Sequence, residues 1–339
     1  MDKNTCFAMI TPDALIRGKT EEVIDYLLDK NIQIKNFLIK KLSEREIEEV
    51  YKLTYLEKVE SFKRTHWWLT KETYAHYPAI LLLLETNNLP DGYDNLPLYI
   101  KSFKGKSDPY RNDEHNSLRY RIGSLSKTLA LFHSSDDLSS SERESSIFFN
   151  KGFLNKGNIH AIYSKEYILE SLQFTDYQET SLYDSLYKIK KRVLYKLNYY
   201  LESSSNNIWS NIHNQLVNLY DQIEANTNMN FIEQHMYYKK FLEEEKKIMY
   251  SNQAIVIEII QKLLIHEKGN IENEIFLKEL YSLYIILLTL SDFENFPKVD
   301  FEELEVISSS QNIYITTWEK ILLKNLLFFY VHEGGEKNV

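Results

Sequence analysis

The 339-residue chain has a single cysteine, Cys6, which excludes an internal disulfide. Its first residues, MDKNTCFAMITPDALIRG, show no basic region followed by a long apolar core. Both absences lead to the expectation of a cytoplasmic protein. Long apolar runs are also missing. The longest, LYSLYIILLTL (280–290) and ILLKNLLFFYV (321–331), fall well short of the roughly 20 residues that a membrane span needs, and Lys324 interrupts the second. They read as buried helices, and no membrane partner is expected. Nor is there a surplus of positive charge: 40 Lys+Arg against 49 Asp+Glu give a net charge of −9, which argues against nucleic-acid binding. Proline all but disappears after Pro109, with only Pro297 beyond it, and most of the excess acid lies in the same later part. Two differently built halves follow, residues 1–152 and 153–339. There is no P-loop, dinucleotide fingerprint or Ser–His–Asp motif, and His160, His213, His235, His266 and His332 form no HxxxH or HxxE pair, so no protein metal site is expected.

The first half alternates strands and helices. Thr5–Ile10 reads as a buried strand closed by a turn at Thr11-Pro12-Asp13. Thr20, Glu21 and Glu22 start a helix with Val23, Ile24, Leu27 and Leu28 on one stripe, ending at Asn31. A strand over 32–39 and a capping-box helix from Ser43-Glu44-Arg45-Glu46 come next, then a fully buried strand, AILLLLE, after Tyr77-Pro78. Residues 86–116, rich in proline and glycine, read as the largest loop region. Leu129–His133 is the next strand, with Ser139 and Glu142 as a second capping box opening a helix that ends near Phe149. Beyond Gly152 and Gly157 the pattern is helical. Leu182, Leu186, Ile189, Val193 and Leu197 form one stripe, and Ile208, Ile212, Leu216, Leu219 and Ile223 another. Asn230 and Glu233 cap a third helix through Phe241 and Ile248, and the segments 255–264, 280–290 and 321–330 are apolar enough to lie inside a bundle.

The stretch LALFHSSDDLSSSERESSIFF (129–149) delivers His133 into small polar residues, with Glu144 eleven positions on. A histidine at a strand end with hydroxyls beside it has room for a substrate and a carboxylate within reach, which suits a nucleophile. Several further motifs stand in order: FAMITPDALIRG at the start, Tyr51 in the second helix, Gly105-Lys106-Ser107-Asp108-Pro109, Ser117-Leu118-Arg119 and His133-Ser134-Ser135-Asp136. With these, residues 4–149 resemble the nucleoside diphosphate kinase family.

The resemblance implies an α+β fold with a ferredoxin-like antiparallel sheet, followed here by an all-α helical bundle of unknown role. It implies ping-pong phosphotransfer through a phosphohistidine on His133, Glu144 accepting from the other ring nitrogen and Ser135 bonding the carboxylate or the imidazole. Arg119 and Lys101 stand where the family binds phosphate, Ser107 would be a hydroxyl donor, and Tyr51 and Thr11 fall in the nucleotide site. ATP or another nucleoside triphosphate would be the donor, with Mg²⁺ carried on its phosphates. Phe62, Trp67 and Trp68 are candidates to stack on the base. The departures are Thr11 and Ala130, where the family has a lysine and an asparagine that contact the ribose hydroxyl and phosphate, and Ser134 in place of a glycine. Two expectations follow: a phosphotransferase with an altered acceptor or ribose site, or an inactive nucleotide-binding scaffold. The family also implies a homo-oligomer, and the helical half is expected to bind a protein partner or support assembly.

Overall fold

The structure, a computed structural model, describes residues 2–53, 66–109, 115–149, 162–172, 178, 181–202, 207–223, 231–266 and 271–329. The chain forms two compact units that divide between Thr180 and Ser181.

In the first unit β1 (Thr5–Ile10), β2 (Gln33–Lys40), β3 (Ala79–Glu85) and β4 (Phe132–Ser134) make one antiparallel sheet in the order β2-β3-β1-β4. The connections are helical: α1 (Pro12–Ile16) and α2 (Thr20–Asp29), then α3 (Glu44–Val50) and α4 (Trp67–His76), then α5 (Leu96–Lys104) and α6 (Leu118–Ile122), with α7 (Leu138–Phe148) and α8 (Lys165–Leu172) after β4. Strand side chains alternate between faces, and here helices cover both. Cys6, Ala8, Ile10, Ile80, Leu82 and Leu84 pack with residues of α2, α5 and α6. Phe7, Met9, Leu81 and Leu83 pack on the other side with Ile47, Tyr74, Phe148 and Phe149. Burial on both faces explains why β1 and β3 read as unbroken apolar runs. It also pushes the Cys6 thiol up to about 12, so this cysteine stays a neutral core residue. Outside the strands, Tyr163 N–H donates to Ile34 O (2.9 Å) at the free edge of β2, and Phe37 packs edge-on against Tyr163.

Several local expectations are corrected, among them Leu28, which is exposed and lies off the buried stripe of α2. The strand expected over Leu129–His133 is three residues long and starts at Phe132, because Leu131 sits at φ +66°, outside the extended region. Leu131 N–H donates to Asp13 Oδ2 (3.0 Å) and its carbonyl accepts from Thr11 N–H (3.0 Å), so both sides of the bend are pinned. The loop expected over 86–116 contains α5, whose Asn95 cap accepts from Leu98 N–H (3.1 Å). Pro97 lies in the first turn, where proline favours a helix start. The helix α7 is capped by Asp137, not by Ser139 with Glu142: Asp137 accepts from Ser140 N–H (2.8 Å) and from Ser140 Oγ (3.0 Å). Asp137→Ala is therefore expected to lower the stability of the first unit by about 1 kcal/mol in urea unfolding, and Ser139→Ala to change it by less than about 0.5 kcal/mol. Two more corrections lie in the second unit.

That unit is helical: α9 (Leu182–Leu201), α10 (Asn207–Asp221), α11 (Phe231–His266), α12 (Ile271–Leu290), a 3-10 turn at Phe293–Lys298, α13 (Phe301–Ser310) and α14 (Thr317–Phe329). The stripe Leu182, Leu186, Ile189, Val193 and Leu197 is buried throughout. Ile208 is exposed, and Trp209 takes the inward place at the start of α10. The helix through Phe241 and Ile248 and the apolar segment from Ile255 are one continuous helix, α11, with no breaker between them. Asn230, the notional cap of that helix, lies outside the described residues, as do Gly152 and Gly157. At the core of the unit Lys190 Nζ donates to Glu245 Oε2 (2.7 Å), both side chains being 0 % exposed. Tyr220 Oη (2.5 Å) and Ser291 Oγ (2.8 Å) donate to Oε1 of the same carboxylate.

Candidate active site

In the β1–β4 register Met9 faces His133, which places the histidine on the side of the sheet that carries α3, α4 and α7. β4 is an edge strand. A cleft of about 440 Å³, a size suited to a small ligand, is lined by Phe132, His133 and Ser134 of β4 together with residues of α4, α5 and α6.

His133 Nε2 lies 3.0 Å from Glu144 Oε2. An ionised carboxylate only accepts, so Nε2 carries the proton and Nδ1 is left as the basic nitrogen. Glu144 is held in turn by Ser135 Oγ (2.8 Å on Oε2) and Arg143 Nη2 (2.7 Å on Oε1), and its side chain is only 5 % exposed. The histidine orienter is thus itself oriented, the arrangement that fixes a tautomer. Tyr51 packs edge-on against the imidazole, with ring centroids 5.0 Å apart, and pairs its hydroxyl with Tyr74 Oη (3.1 Å). Burial pushes the Tyr51 hydroxyl up to about 12, so it is neutral beside the histidine.

The rest of the cleft is basic. Among the described residues Lys101, Lys104, Lys106, Arg119 and Lys127 line it, with Asp136 as the one carboxylate. Arg119 is almost buried. Its Nε (3.1 Å) and Nη2 (2.5 Å) donate to Phe132 O, the carbonyl just before His133, and its Nη1 donates to Gly105 O (2.9 Å). Lys104 Nζ reaches Ser134 O (2.9 Å), on the other side of the histidine.

Of the residues marked in the sequence, Thr11, Tyr51, Lys101, Ser107, Arg119 and His133 come together on the cleft, while Ser135 and Glu144 stand behind the histidine. Thr11 turns its hydroxyl to Asp13 Oδ1 (2.5 Å), and Ala130 adds no polar group to the same wall. Trp67 lines the cleft and packs on Tyr51 (5.3 Å), whereas Trp68 is exposed and Phe62 lies outside the described residues. Lys104 escaped the sequence reading although a signal was present. Leu96, Ile100 and Lys104 are spaced by four along α5, and a lysine on a buried stripe is uncommon.

Residues 4–153 match the family model for nucleoside diphosphate kinase. No curated protein matches the chain. Among solved structures it is similar to a nucleoside diphosphate kinase of Aquifex aeolicus, at 21% identity over 44% of this chain and 96% of that one, with a TM-score of 0.36. It is also similar to an NDP kinase of Pyrobaculum aerophilum, at 18% identity over 44% and 97%, with a TM-score of 0.34. A nucleoside diphosphate kinase family protein of Babesia bovis gives 13% identity over 48% and 93%, with a TM-score of 0.35. Among the described residues no helix is long and apolar enough to cross a membrane. The family match and the four-stranded sheet with its helices make residues 4–153 a nucleoside diphosphate kinase-like domain, which continues into a largely helical region.

Proposed function

We propose that the first unit is a phosphotransferase that carries a phosphoryl group on His133 Nδ1 between a nucleoside triphosphate and an acceptor other than an ordinary ribose-held nucleotide. The observation that carries this reading is the His133 Nε2–Glu144 contact, which leaves Nδ1 as the ring nitrogen for attack, next to a cationic cleft. In the first half-reaction the Nδ1 lone pair forms the N–P bond to the terminal phosphorus. The P–O bond to the leaving diphosphate breaks and its electron pair goes to that oxygen. Nε2 keeps its proton and donates it in a hydrogen bond to Glu144, whose charge steadies the positive imidazole of the phosphohistidine. In the second half an acceptor phosphate oxygen attacks phosphorus, and the N–P electrons return to Nδ1.

Lys101, Arg119 through its remaining N–H groups, and the Ser107 hydroxyl would hold the phosphates during transfer, and Trp67 would stack on a base. A wall of ammonium and guanidinium groups suits a polyphosphate and does not suit a bare divalent cation. Mg²⁺ would accordingly be held through the nucleotide and supply neutralisation of its phosphates. The altered acceptor is supported by Thr11, whose hydroxyl serves Asp13, and by Ala130. A cytoplasmic location, assembly into a homo-oligomer and recruitment of a protein partner by the helical unit belong to the same proposal, as does the boundary near residue 152. The test is incubation of the full chain with γ-labelled ATP and Mg²⁺. An acid-labile, base-stable label on the protein is expected; nucleotide binding without label would replace this reading by that of an inactive nucleotide-binding domain.

A further inference from the structure

Lys104 and Arg119 are each 8 % exposed and lie against the same cleft wall. The neighbouring carboxylates have cations of their own. Glu144 is paired with Arg143, Asp108 with Lys127, and Asp13 is fixed by Thr11 and Leu131 with the charge of Arg17 nearby. Arg119 donates to neutral carbonyls. Lys104 donates to Ser134 O (2.9 Å), Ser134 Oγ (3.1 Å) and Asp136 Oδ1 (2.8 Å), so only one acceptor is charged. The Asp136 side chain is 59 % exposed and itself lines the cleft, so its hold on the ammonium is shared with water. Two like charges held together out of water are costly unless an anion joins them. Burial, and then Arg119, push Lys104 below its ordinary value, in agreement with that reading. Apolar packing alone asks for a leucine at the end of the Leu96–Ile100 stripe, as Lys104 is the one charged member of the buried set of α5.

We propose that Lys104 is a catalytic cation of this site, resting on the phosphohistidine reading: its ammonium exchanges Asp136 for the oxygens of the phosphoryl group in transit to and from His133. No bond to Lys104 is made or broken and it keeps its three protons. Ser134 O and Oγ, one residue on from His133 in β4, hold the nitrogen while the third proton changes partner. Asp136 becomes the placeholder for an anionic ligand.

The test is single-turnover labelling of the full chain by γ-labelled ATP and Mg²⁺, over a range of ATP concentrations, in wild type, Lys104→Met, Lys104→Gln, Asp136→Asn and Lys104→Met/Asp136→Asn. The limiting rate is expected to fall on the order of 100-fold in Lys104→Met, as for other lost transition-state donors. Lys104→Gln, which keeps a donor for Ser134 but no charge, should be as slow. Asp136→Asn should lower the ATP concentration that gives half the limiting rate, and the double variant should stay as slow as Lys104→Met. A double variant restored to the wild-type rate would show that Lys104 serves only to neutralise Asp136 and would overturn the proposal, as would a Lys104→Gln that labels normally. If wild type takes no label, the phosphohistidine reading fails by itself. Calorimetric binding of a non-hydrolysable ATP analogue then decides: weaker binding to Lys104→Gln supports a phosphate contact, and equal binding excludes one.

Discussion

His133→Ala is expected to abolish phosphoryl labelling, a loss on the order of 10⁴-fold or more, while binding of nucleotide to the basic cleft persists. Among the described residues the other histidine on the cleft is His66, which stacks on Trp67 with ring centroids 6.1 Å apart, so His66→Ala is the control for any residual label. The Tyr51 hydroxyl and the Cys6 thiol are both pushed up to about 12 by burial and so are protonated near neutrality. Ser135 donates its hydroxyl to Glu144 and has no free base to activate it. The variant should fold. Glu144 retains Ser135 and Arg143, and the imidazole is partly exposed, so the stability change should be about 1 kcal/mol or less. Acid-labile label that survives in His133→Ala would place the phosphoryl group elsewhere and sink the assignment.

The largest stability effect is expected far from that chemistry in sequence, at Lys190→Met in the helical unit. Lys190 and Glu245 are both fully buried, and among the described residues the ammonium is the one charge on the carboxylate. Removing it leaves an anion held by the hydroxyls of Tyr220 and Ser291 alone, and breaking such a pair costs about 3–5 kcal/mol. Lys190→Met/Glu245→Met removes the buried charge and should recover much of the loss. Full recovery is not expected, because Tyr220 Oη loses its acceptor, at a cost of about 1–3 kcal/mol, whereas Ser291 Oγ still reaches Leu287 O (2.8 Å). Urea unfolding followed by circular dichroism checks the order: wild type above the double variant, and the double variant above Lys190→Met. A single variant as stable as wild type would mean that water reaches Glu245.

The parts legible in the sequence were those set by short-range periodicity. AILLLLE is a strand from Ala79 to Glu85, and Ser43 with Glu46 caps α3 as a reciprocal pair, because both features depend on neighbouring residues alone. Residues that motifs mark, among them His133, Arg119 and Ser107, do line one cleft, since each motif falls at a fixed place on the sheet or its helices, while their roles belong to the proposal. Where distant contacts decide, the sequence was silent. The bend at Leu131 depends on Asp13, more than a hundred residues away, and α11 runs through a stretch whose stripe changes face. The inward place of Trp209 in preference to Ile208 is a matter of packing that spacing alone leaves open. Lys104 was missed for the complementary reason: a lysine reads as surface until the strand that receives it is in place.

The contact of Tyr163 with Ile34 has a consequence for how copies of the first unit meet. β2 is the outer strand of its sheet, and a row of unpaired amides and carbonyls at such a margin is a template for strand addition and fibrous growth. Here the chain returns its own backbone to that margin at Ile34, with Tyr163 and Tyr167 packed edge-on over Phe37. An incoming strand meets this stopper first, so the fold guards the β2 edge against runaway self-association.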